Sequence, residues 1–140
     1  MPRPVAHRFP RADAAVPEAR SFLRQVLADW NISDRLDDAL NCLSELATNA
    51  VVHAGASAGH FDVEVGFLDG CLRIEVRDLS RQTPTRKSPD ADDPTGRGLL
   101  IVDALSDGWG VEPCVRGGKT VWTEFKIEAE QGLSAGVSPW

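Results

Sequence analysis

Two amphipathic helices followed by an alternating hairpin point to a two-layer α/β (α+β) sandwich, a mixed or antiparallel sheet covered on one face by helices. Residues 16–30 and 36–54 carry apolar side chains at helical spacing. Residues 61–67 and 72–76 alternate apolar and polar positions on either side of Asp69-Gly70, the signature of a tight hairpin with one buried face. The order helix, helix, hairpin, loop, helix, strands favours helices gathered on one side of a sheet.

The first helix runs from Val16 to Trp30 on Ala19, Phe22, Leu23, Val26 and Leu27, with Pro17 tolerated in a first turn. Asn31, Ser33 and Asp34 supply stop and N-cap chemistry. A second stripe, Leu36, Ala39, Leu40, Leu43, Leu46, Ala50 and Val51, extends to about Ala54, with Gly55 as C-cap. The hairpin follows. Residues 79–95 hold three prolines among charged and small polar residues and form a loop long enough to suspect a function. Gly96-Arg97-Gly98 opens an apolar run, Leu99 to Leu105, expected as a short helix ending near Gly108. Strands follow at Trp109 to Val111 and, after Gly117-Gly118, at Lys119 to Ile127. Residues 1–13 are expected to be a flexible N-terminus, 14–128 the folded domain and 129–140 a loose tail.

The chain has 140 residues, enough for one domain with a usable core. Lysine and arginine number 15 against 21 acids, a formal net charge of -6, so no broad basic field exists to hold a nucleic-acid backbone. No apolar run reaches membrane-spanning length and the first ten residues lack a secretory apolar segment, so a cytoplasmic location is expected. The three cysteines are odd in number and far apart, without metal or redox spacing, and read as reduced packing residues.

Glu45 and Asn49 stand four residues apart in an otherwise apolar helical segment, so an acid and an amide project from one side. Burying an unpaired carboxylate is costly. That side of the helix is therefore expected to line a pocket for a metal or a polar ligand.

Glu45-x-x-x-Asn49 on a helix, Asp78 closing the second hairpin strand, Gly96-Arg97-Gly98-Leu99 opening a helix after a long loop, and Thr120 beginning a late strand recur in a familiar order. In that order the chain resembles the ATP-binding superfamily shared by gyrase, histidine kinases and mismatch-repair ATPases, with its Bergerat-type fold. Within it the chain most resembles the single-domain anti-sigma-factor serine/threonine kinases. The resemblance implies Mg²⁺-ATP as cofactor, with Glu45 as the catalytic base and Asn49 as the Mg²⁺ ligand. It implies that Asp78 accepts the exocyclic amine of adenine, supported by Thr120. The segment Asp93-Pro94-Thr95-Gly96-Arg97-Gly98-Leu99 would cradle the phosphates, where glycines and a helix start favour an anion. His53, one turn beyond Asn49, has two readings, a capping residue at a helix end or a nucleotide contact. Arg97 likewise either reaches phosphate oxygens or points to solvent. Taken alone, Asp78 reads first as a turn former and Thr120 as an ordinary strand residue.

Two departures from the family pattern stand out. Ser80 occupies the position two residues after the adenine carboxylate where relatives have glycine, and Pro94 stands where sporulation-type kinases carry an arginine. The glycine segment is neither a Walker loop nor a dinucleotide fingerprint. The resemblance implies a sigma factor and an anti-sigma-factor antagonist as protein partners, a possible homodimer, and no direct contact with nucleic acid or membrane. The loop 79–95 takes the place of the family's lid. The alternative is a non-catalytic module that binds ATP and sequesters a partner. A detached histidine-kinase ATPase half is a weaker reading, since no phospho-acceptor element precedes Val16.

Overall fold

The computed structural model describes residues 2–52, 59–78, 94–114 and 118–128, and for 94–98 the backbone alone. Five strands and three helices follow in the order β1 (Val5–Pro10), α1 (Ala15–Asp29), α2 (Leu36–Val52), β2 (His60–Leu68), β3 (Cys71–Asp78), α3 (Pro94–Leu105), β4 (Gly108–Pro113) and β5 (Lys119–Lys126). The strands form one sheet in the order β1-β2-β3-β5-β4, every neighbour antiparallel. The two-layer α+β class is as expected, with the sheet wholly antiparallel.

Asp69 and Gly70 both adopt positive φ, 53° and 77°, as a two-residue primed turn requires. That turn sets Leu68 opposite Cys71 and so fixes the register of the whole hairpin. Phe61, Val63 and Val65 of β2 and Leu72, Ile74 and Val76 of β3 consequently share the buried face. The helices cover this face. Ala19, Leu23 and Leu27 of α1 and Ala39, Leu43 and Ala47 of α2 are fully enclosed, and Val102 of α3 joins them.

The opposite face is built from charge. Arg8 pairs with Asp62 at 2.8 Å, and Arg73 with Glu75 at 2.8 Å and Glu124 at 2.7 Å, while its guanidinium lies 4.4 Å above the Trp122 ring. Long ionic side chains thus cover a sheet surface that no described helix shields.

The N-terminus departs from expectation. Residues 5–10, expected as a flexible lead, form edge strand β1 and pair with β2. Phe9 supplies the reason: it stacks on Phe61 at 5.6 Å and meets Phe22 edge-on at 5.9 Å, tying strand, sheet and α1 together. Helix α3 also begins two residues earlier than expected, at Pro94, and ends at Leu105. Proline suits a first helical position, where its missing N–H is no loss. The expected tail, 129–140, lies outside the described residues, as do Gly55 and residues 79–93 of the expected loop.

Candidate functional site

Helix α2 lies between α1 and α3 and packs on β3. Its two edges are told apart by their contacts. On one, Ser44 Oγ accepts from Arg20 of α1 at 2.7 Å. On the other, Asp38, Cys42, Glu45 and Asn49 follow one stripe at spacings of four, three and four. Asp38 pairs with Arg35, whose guanidinium also donates to the Leu105 carbonyl at the end of α3, at 2.8 Å. The Glu45 and Asn49 edge therefore turns toward α3, and both side chains are half-buried, between Cys42 in the core and the exposed Asn41 and Thr48. The inward half of the stripe is dry: burial pushes the Cys42 thiol up to about 11, against the neighbouring Thr123 hydroxyl of β5.

Asp78 ends β3 on the helix-covered face and is 7 % exposed. A carboxylate so enclosed needs a partner. Arg11, the residue after β1, provides one: its guanidinium donates to Asp78 Oδ1 as a buried ion pair. The Arg11 backbone N–H donates to the Gly59 carbonyl at 3.1 Å, and the guanidinium passes beside Gly59. From there the guanidinium crosses in front of β2 to reach the next strand.

The register separates Thr120 from Asp78. Asp78 is opposite Lys119, whereas Thr120 is opposite Arg77, and directly opposed residues share a face. Thr120 therefore belongs to the charged face. It is buried, and its hydroxyl lies 3.4 Å from Cys114 Sγ. The side chain sharing the Asp78 rung on β5 is the half-buried Lys119.

Thr95, Gly96, Arg97 and Gly98 fall in the first turns of α3, so the expected phosphate segment is already helical and offers backbone N–H groups at a helix start. Leu99 is half-buried and packs against the core. His53 and Ser80, both expected at the site, lie outside the described residues. Among the described residues no three His, Cys, Asp or Glu side chains cluster as metal ligands. Sequence reasoning passed over Arg11, although Val5, His7 and Phe9 before it alternate as a strand does.

A helix edge bearing an acid and an amide, on the helix that packs on the strand closed by a buried carboxylate, coincides with a family match. The model of the histidine kinase-like ATPase domain matches residues 9–125. The chain belongs to the histidine kinase-like ATPase family. A crystal structure of the RsbU and RsbW domains of Rv1364c from Mycobacterium tuberculosis shares the fold of this family member, with a TM-score of 0.68 at 21% sequence identity. The match covers 90% of this chain and 32% of that one, so this ATPase-family chain spans about a third of its neighbour's length. Comparison with curated protein sequences gave no match. No helix among the described residues of this family member is long and apolar enough to cross a membrane.

Proposed function

We propose that this chain binds Mg²⁺-ATP and transfers the γ-phosphoryl group to a serine or threonine of a partner resembling an anti-sigma-factor antagonist. The observation that carries this is the half-buried Glu45 and Asn49 pair on the α3 side of α2, the helix that packs on the strand Asp78 closes. An RsbW domain in the structural neighbour supports it. Control of a sigma factor through that antagonist is the proposed biological role.

Asp78 accepts the exocyclic amine of adenine and thereby prefers ATP to GTP, which has a carbonyl there. The carbonyl oxygen of Asn49 is a hard donor suited to Mg²⁺, which commonly takes few protein ligands and completes its shell with phosphate oxygens and water. Bound there, the metal would neutralise charge on the phosphates. Glu45 takes the proton of the attacking hydroxyl as its oxygen bonds to the γ-phosphorus. The bond from that phosphorus to the β,γ-bridging oxygen breaks, and ADP leaves. The N–H groups opening α3 hold phosphate oxygens.

Transfer from labelled ATP to a candidate antagonist tests this. Activity in wild type that Glu45→Ala abolishes while still binding nucleotide supports it; equal transfer by both refutes Glu45 as base. Binding without transfer to an authentic antagonist would instead establish a non-catalytic ATP-binding module.

A further inference from the structure

We infer that Arg11 is a positioning residue for adenine recognition, holding the Asp78 carboxylate in one orientation, an inference that rests on the nucleotide reading proposed above. The guanidinium is 2 % exposed and the Asp78 side chain 10 %, so the pair is nearly dry. Dry charge pairs are held rigidly, because either partner alone is costly to bury. Arginine suits the task, since an N–H of its planar guanidinium donates to Asp78 Oδ1 along a defined direction.

The side from which Arg11 arrives sets its role. It follows β1 and crosses β2 beside Gly59, reaching Asp78 from the β1 edge of the sheet. Glu45 and Asn49 lie on the edge of α2 that turns toward α3, away from Arg20 and α1. Arg11 thus approaches Asp78 from behind the proposed nucleotide. A guanidinium there supports the carboxylate without occupying the place of the base.

Binding of ATP and of inosine triphosphate, which lacks the exocyclic amine, would be measured by calorimetry for wild type, Arg11→Met and Arg11→Lys, with melting curves for each. Arg11→Met is expected to lower ATP affinity roughly tenfold, the scale of one charge-assisted hydrogen bond. Inosine triphosphate affinity should change little, so the ratio between the two collapses toward one, with Arg11→Lys falling between Met and wild type. A merely structural arginine would weaken both nucleotides alike, and an unchanged ratio in Arg11→Met overturns the inference. Should Arg11→Met fail to fold, a wild-type ratio in Arg11→Lys overturns it equally. Absence of ATP binding by wild type is a different result: it removes the nucleotide reading itself.

Discussion

Arg11 and Asp78, far apart in sequence, form a buried ion pair spanning from the end of β1 to the end of β3. Asp78 therefore serves the fold as well as any ligand. Asp78→Asn would leave a buried guanidinium against a neutral amide and is expected to cost about 3 kcal/mol, the scale for breaking a buried pair. Urea unfolding of Asp78→Asn, Arg11→Met and the double variant would show it. The double should cost less than the sum of the singles, since residues in contact do not add. Additive losses would mean that the two groups are not coupled.

Arg35 joins three elements. It bonds Asp107 at 2.9 Å, Asp38 at 3.2 Å and the Leu105 carbonyl at 2.8 Å, and stands 5.3 Å over the Phe125 ring. It does so from a left-handed backbone, φ 66°, that glycine tolerates better. Arg35→Ala loses the contacts and keeps the strain, and is expected to destabilise by about 2 kcal/mol. Arg35→Gly should cost less than Ala, because it relieves the backbone. Chemical denaturation of both variants decides the order.

Gly110 on β4 lies under Trp122. A Cβ at this position would meet the indole at 2.7 to 2.9 Å, closer than real contacts allow. Gly110→Ala must displace the ring that carries Arg73, at an expected cost of about 1–3 kcal/mol. In a Trp122→Leu background the same substitution should be nearly neutral. Equal losses in both backgrounds would show that the ring is not the obstacle.

Asp107 and Cys42 give the stability a pH profile at both ends. The Lys126 backbone N–H at 2.6 Å, and then Arg35, hold the Asp107 carboxyl below its ordinary 3.8. Its contribution is present above that value and is lost as pH falls through the lowered pKa. Asp107→Asn should flatten this acid limb. Burial raises the Cys42 thiol from 9.0 to about 11, so the unfolded chain loses this proton first and stability declines as pH rises between those values. Cys42→Ala should remove that alkaline decline. A thiol reagent at pH 8 should label the half-buried Cys114 while leaving Cys42 untouched until unfolding.

The hairpin and the first two helices were legible because each has one buried face, and burial imprints a period on the sequence. β1 was not. Pro4, Arg8 and Pro10 surround three alternating positions, Val5, His7 and Phe9, of which Phe9 alone is buried, and the strand is stabilised by aromatic contacts to residues distant in the chain. For the site, the helical spacing of Glu45 and Asn49 correctly placed both on one edge of α2. The partner of Asp78 escaped notice because a buried ion pair leaves no periodic trace. Thr120 shows the opposite error: motif order set it beside Asp78, but the strand alternation sends it to the other face and brings Lys119 to the rung.

Calorimetric titration of the wild-type chain with ATP and with GTP, each in the presence of Mg²⁺, tests the central claim most directly. The account predicts saturable binding of one ATP per chain and at least roughly tenfold weaker GTP, as expected when a buried carboxylate meets a carbonyl in place of an amine. Equal affinity for the two nucleotides, or no heat with ATP, would contradict it.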